Sequence, residues 1–287
     1  NKPDQMVKSL EDLVAQHVDG IIFTPYWSTA ARGMTLAKEA NIPVILTDSY
    51  PDFAPQSPRF PNYLAFIGPS DEDAGAQMAE ALFAAMKPDA SGKKVIGVVN
   101  GTAGTSVAID RRKGLERALK AHPEVEVAGE VDGNFVRDTS QTVFESLYEG
   151  KPAIKGVWAA NGGTATGVMA ALKSAGKRPG KDVLVVAMDL NPENVAAVKK
   201  GDLLFDIGGH WLQGGFALVT MYDALKGKPI PRAAANVKLA LLPLTKARVP
   251  QFEADFPGGV PPYDFRKHSR AYTPDAKPAV FEMKYSK

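Results

Sequence analysis

Cysteine is absent from this 287-residue chain. Its absence excludes disulfides, thiolate metal sites and a cysteine nucleophile. Neither sign of charge is in marked excess either. No run of like charges reaches five residues, and 34 lysines and arginines offset 32 aspartates and glutamates, for a net charge of +2. Such a balance carries no electrostatic footprint for nucleic acid or a membrane surface. No apolar stretch approaches the ~20 residues needed to span a bilayer. Gly-x-Ser-x-Gly, His-Glu-x-x-His and the dinucleotide glycine fingerprint do not occur. His17, His122 and His268 have no acidic or histidine neighbours at metal spacing. What is present is ordinary globular composition, 45% hydrophobic and 23% charged, at a length that suits two domains better than one.

The periodicity alternates between 3.6 and 2 along most of the chain. Helices are expected over 1–17, 30–40, 70–86, 106–122 and 138–148, then from Thr164, from Pro192 and over 211–225. Strands are expected over 21–23, 43–46, 63–67, 94–99, 125–131, 157–159, 183–188, 203–207 and 237–242. Ser70 and Asp73 have capping-box spacing. From Thr245 prolines and glycines become dense, and the tail is expected to wrap the surface, with a short strand near 280–285. Strands alternating with helices imply α/β architecture with doubly wound parallel sheets. Two such sheets in series imply two lobes. Residues 1–101 plus 210–240 are expected to form the first, and 102–209 plus 241–287 the second with the tail. The chain opens on Asn1-Lys2-Pro3-Asp4, without an initiator Met and in a helix rather than a strand. Hence a removed leader or missing residues are expected, about 40 of them for an opening strand–helix–strand.

The stretch 157–189 organises the rest. It reads as strand, turn, helix, loop, strand, with Thr164 as the helix cap, and it leaves Asn161 and Asp189 at the carboxyl ends of neighbouring strands. That edge of an open α/β sheet is where ligands bind. Taken singly, each reads as a cap or a turn before it reads as a site residue, so the case for a site rests on other strand ends doing the same. Other strand ends behave alike: Thr24, Tyr26, Trp27, Asp48 and, beyond 207, His210. Arg111 lies near a helix start and Phe135 in a loop after a strand. Carboxylates, a guanidinium, an amide and aromatics suit a neutral polyhydroxylated ring. Charged hydrogen bonds of about 1.5–3 kcal/mol serve its hydroxyls, and flat apolar faces serve its C–H side. The run 101–106, Gly-Thr-Ala-Gly-Thr-Ser, lacks the lysine of a phosphate loop and is read as an interlobe crossing.

Four segments in order carry a resemblance: HVDGIIFTP with NIPVILTDS; NGTAGTSVAIDRRKGLERAL; VWAANGGTATGVMAALKSAGKRPGKDVLVVAMDLNPE; and GDLLFDIGGHWLQGGFALVTMYDALKGKPI. With them the chain resembles the type 1 periplasmic binding proteins of sugar ABC transporters, the ribose-binding-protein-like group, up to about Thr245. The resemblance implies two lobes joined by hinge crossings, a ligand cleft between them and capture by hinge closure. It implies that Asp48, Arg111, Phe135, Asn161 and Asp189 stand at ligand positions, with Thr24 where many members have asparagine. Gly162 departs from the usual aspartate after the asparagine, Ser49 from a second arginine and Gly209 from a glutamine, which leaves His210 as a neighbouring candidate.

The expected function is a periplasmic solute-binding protein that delivers a sugar or polyol to an ABC permease. No enzyme activity, cofactor or metal is expected, and the protein is expected to be monomeric, exported with its signal peptide removed. The alternative is a periplasmic ligand sensor or the effector domain of a repressor of the same fold.

Overall fold

A computed structural model describes residues 3–26, 29–258, 263–276 and 284–286. In chain order the elements are α1 (Pro3–Ala15), β1 (Ile21–Phe23), α2 (Thr29–Glu39), β2 (Val44–Thr47), β3 (Tyr63–Pro69), α3 (Asp71–Ala85), β4 (Lys94–Asn100) and α4 (Ser106–Ala121). Next come β5 (Val125–Asp132), α5 (Arg137–Gly150), β6 (Gly156–Ala159), α6 (Gly162–Ser174), β7 (Leu184–Asp189), α7 (Pro192–Lys200) and β8 (Phe205–Gly208). The last are α8 (Gln213–Leu225), β9 (Asn236–Leu239), β10 (Leu242–Thr245) and α9 (Val249–Asp255). The chain divides into two units: Asn1–Pro69, His210–Ala240 and Pro262–Glu282 in one, Ser70–Gly209, Leu241–Pro261 and Met283–Lys287 in the other.

Unit 1 is a parallel sheet in the order β1-β2-β3-β9. All four residues of β2 are buried, as expected of a parallel strand covered on both faces. The pleat sorts them: Val44 and Leu46 join Leu10 and Met34 of α1 and α2, while Ile45 joins Phe216 and Met221 of α8. The described tail, 263–276, packs on this unit and not on the lobe expected for 241–287. Its anchor is Asp223 of α8, 3% exposed, which accepts from Ser269 Oγ at 2.6 Å, Arg270 N at 2.7 Å and Ala271 N at 3.2 Å. Asp223→Ala is therefore expected to cost about 2–4 kcal/mol, since three donors lose a buried acceptor. It should also open 266–274 to proteolysis. Urea denaturation and mass-mapped limited digestion check this, and an unchanged digestion pattern would refute it.

Unit 2 is a sheet in the order β10-β8-β7-β6-β4-β5, parallel except for β10 against β8. One face packs Met78, Leu82 and Phe83 of α3 and Leu115 of α4 against Ile96, Val98, Trp158, Val186 and Ile207. Gly75 and Gly114 let α3 and α4 touch backbone to backbone: a Cβ on Gly75 would overlap Arg111 O, and one on Gly114 would overlap Glu72 O. This contact brings the start of α3 beside α4.

Several boundaries differ from the sequence-based expectations. Residues 70–101, expected in the first lobe, belong to unit 2, because β4 pairs with β5 and β6. The run 101–106 joins β4 to α4 inside unit 2 and is no interlobe crossing; the break falls between Pro69 and Ser70. Gly101 is needed there because any Cβ would enter the Phe135 ring. The single strand expected over 237–242 is two strands, β9 and β10, one in each unit. Ser70 forms no side-chain cap to a helix amide; its hydroxyl donates to Asp73 Oδ2 at 2.9 Å. The strand expected near 280–285 lies largely outside the described residues.

Candidate functional site

In unit 2, four candidate residues gather at the carboxyl-terminal edge of the sheet. Asn161 follows β6 and caps α6, its Oδ1 accepting from Thr164 N at 2.8 Å. The cap is thus Asn161, and Thr164 lies fully buried inside the first turn. Asp189 ends β7 and Leu190 follows it, both at positive φ, 124° and 54°. Asp189 Oδ2 accepts from Gly162 N at 3.0 Å, so this carboxylate sits on the amino end of α6. A Cβ on Gly162 would approach Asp189 Oδ2 to 3.2 Å and overlap Asn191 Nδ2. The departure at Gly162 therefore makes room for the Asp189 turn.

Arg111 is 3% exposed, not part of a solvated helix face. Its Nε donates to Asp71 Oδ1 at 2.7 Å and an Nη to Ala160 O at 2.8 Å, just before Asn161. Its neighbours take the surface role: Arg112 pairs with Glu130 and Lys113 with Asp110. The guanidinium lies 5.6 Å from the Phe135 ring centroid. Phe135, partly exposed, has φ 60° and follows Asn134 at φ 55°. Consecutive non-glycine residues in the left-handed region are strained, and such strain clusters at ligand clamps.

In unit 1, Thr24 and Thr47, at the ends of β1 and β2, share a hydroxyl–hydroxyl bond of 3.0 Å. Asp48, at φ 63°, accepts from Gln213 Nε2 at 3.4 Å. Burial and then the Asp48 charge push the Tyr26 hydroxyl above its ordinary pKa, so Tyr26 stays a neutral donor. His210, partly exposed, opens the 3-10 turn His210–Leu212 that leads into α8, three residues before Gln213. Trp27 lies outside the described residues. Asp71, Thr47 and Gln213 are not among the residues that the sequence singles out. Asp71 was hidden in the capping-box pattern, and Gln213 acts only through a fold contact 165 residues away in sequence. Among the described residues no group of three or more His, Asp or Glu could hold a metal ion.

The periplasmic binding protein domain model matches residues 1–229. The chain belongs to this family. This periplasmic binding protein is 31% identical to the galactofuranose-binding protein YtfQ of Escherichia coli over 206 residues, 70% of this chain and 62% of that protein. It is 30% identical to a ribose import binding protein of Haemophilus influenzae over 232 residues, 80% of this chain and 74% of that one. Among solved structures, a galactofuranose binding protein superposes with TM-score 0.79 at 25% identity, covering 90% of this chain and 86% of that one. A periplasmic sugar-binding protein from Pseudomonas fluorescens gives 0.83 at 24% identity, covering 99% and 85%. The fold is that of the type 1 periplasmic binding proteins, and the named relatives are binding proteins.

Proposed function

We propose that this periplasmic binding protein captures a sugar or polyol in the periplasm and delivers it, as a monomer, to an ABC permease, without catalysing a reaction. The observation that carries the proposal is the unit 2 constellation: the Asp189 carboxylate, the Asn161 amide, the buried Arg111 guanidinium and the strained, partly exposed Phe135 ring on one sheet edge. Unit 1 adds Asp48, Tyr26, Thr24 and His210 as its own candidates. An acceptor-rich, aromatic-flanked edge serves a ring of hydroxyls better than it serves a charged or apolar solute. The relatives named for galactofuranose, ribose and xylitol support the same class. Export with removal of a leader peptide is part of the proposal.

The test is a thermal-shift screen against pentoses, hexoses in furanose and pyranose forms, and polyols. A ligand at 100 times its Kd adds about 2.7 kcal/mol, several degrees for a protein of this size. Asp189→Ala should weaken the hit by at least about tenfold, the equivalent of one charged hydrogen bond of ~1.5 kcal/mol or more. A flat screen on folded, ligand-free protein would overturn the sugar class. Unchanged calorimetric affinity in Asp189→Ala would remove Asp189 from the site.

A further inference from the structure

Behind Asp189, on the adjacent strand, lies a second carboxyl group that the proposed ligand contacts do not use. Asp206, in the middle of β8, is fully buried. Phe205 and Ile207 on either side of it join the core formed with α3. By the pleat, Asp206 therefore faces the opposite side of the sheet, where α7 packs. Its Oδ2 accepts from Leu190 N at 3.1 Å and its Oδ1 from Ile207 N at 3.0 Å.

The first of these bonds lands on a strained place. Asp189 and Leu190 are consecutive non-glycine residues at positive φ, a conformation that side chains with a Cβ rarely adopt. Such a turn persists only where its surroundings over-determine it. Asp206 supplies a buried acceptor aimed at the Leu190 amide, and Asn194 Nδ2, donating to Met188 O at 3.3 Å, holds the residue before the turn. The far side of the same turn carries the Asp189 carboxylate on Gly162 N at 3.0 Å. An unbroken run of contacts thus links Ile207 N, Asp206, Leu190 N, Asp189 and Gly162 N.

We infer that Asp206 is a positioning residue for Asp189: it holds the left-handed turn and so sets the carboxylate on the amino end of α6. Asp206 does not itself reach a ligand. The consequence for affinity rests on the proposed sugar site, whereas the positioning itself does not.

Amide hydrogen exchange on the full chain without ligand tests the inference. In Asp206→Ala, the amides of Leu190 and Gly162 should exchange at least tenfold faster, while Val98 in the centre of β4 stays within about twofold of the natural protein. Gly162 decides, because it donates to Asp189 and not to Asp206. Asp206→Asn keeps the side-chain size and one acceptor oxygen, and so covers the case in which the alanine variant fails to fold. It should accelerate Gly162 about threefold, less than alanine does. Natural exchange at both amides in either variant overturns the inference, as does an acceleration in Asp206→Asn that Val98 shares. A flat sugar screen would sink the proposed function and leave these rates unaffected.

Discussion

Asp71→Ala is expected to cost about 3–5 kcal/mol of stability, the usual effect of removing one partner from a buried ion pair. Asp71 and Arg111 have side-chain exposures of 1% and 4% and meet at 2.7 Å. Without the carboxylate, the guanidinium loses the buried charge partner it meets at 2.7 Å, in a site that water barely reaches, and desolvation of the charge that remains carries the cost. The pair's net contribution is a separate quantity, because burying both charges costs nearly what their attraction returns. The double variant Asp71→Leu with Arg111→Met should therefore recover most of the loss. Arg117 gives the contrast. Its bond to Asp73 is 2.8 Å, but the two side chains are 51% and 61% exposed. Asp73→Ala should cost less than about 1 kcal/mol. Urea denaturation of the four proteins checks all of this. A loss below 1 kcal/mol in Asp71→Ala would show that water or another group compensates Arg111. Sugar affinity should fall along with stability in Asp71→Ala, because Arg111 braces both Phe135 and the residue before Asn161.

The elements were legible where periodicity is a local property. The runs at 94–99 and 183–188 are β4 and β7, and 106–122 is α4, each within a residue or two. Where the chain changes unit, local pattern carried no signal. The apolar run 237–242 is continuous in sequence, yet Leu239 pairs with Pro69 and Leu242 with Gly208, in different sheets. Likewise β4 looks like one more strand of the first series. Only its pairing with β5 and β6 moves it and α3 into unit 2.

The candidate site shows the same division. Asn161, Asp189 and Asp48 were readable because they end apolar runs. Arg111 stood among Arg112 and Lys113, and only the family position singled it out; its burial comes from the α3–α4 contact that Gly75 and Gly114 permit. Asp71 and Asp206 are not legible in the sequence for one reason. A buried acid looks like any other acid until its partner is known, and these partners lie 40 and 16 residues away. Asp206 even interrupts an apolar strand, Phe205-Asp206-Ile207, an irregularity that pattern alone could have flagged.

Asp206→Asn should gain stability relative to the natural protein as the pH rises. Complete burial and, second, the charge of Asp189 push the Asp206 carboxyl from an ordinary 3.8 up to about 8. In the unfolded chain the group releases its proton near the ordinary value, while the folded chain keeps it. The natural protein thus has the full contribution below the unfolded pKa and loses it as the pH climbs toward the folded one, at about 1.4 kcal/mol per pH unit. Between pH 5 and pH 8 the difference between the two proteins should move by about 4 kcal/mol in favour of asparagine. Other groups do not produce this slope. Asn194 faces Asp206 from α7, and Leu244 stands opposite it on β10. The charged residues of α7 point outward: Glu193 meets Arg137, Lys199 meets Glu253 and Lys200 meets Asp202. His122, raised by its bonds to Glu80 and Glu124, also loses its contribution as the pH rises, but it is common to both proteins and cancels in the difference. Denaturation of both proteins at pH 5, 6.5 and 8 measures the slope. The lost acceptor shifts the whole line and leaves its gradient intact, so position and gradient report separate things: the first the bond to the Asp189-Leu190 turn, the second the proton. A line without gradient would mean that Asp206 titrates as an exposed aspartate does. The site would then carry two charges where its burial and the neighbouring Asp189 favour a proton on Asp206.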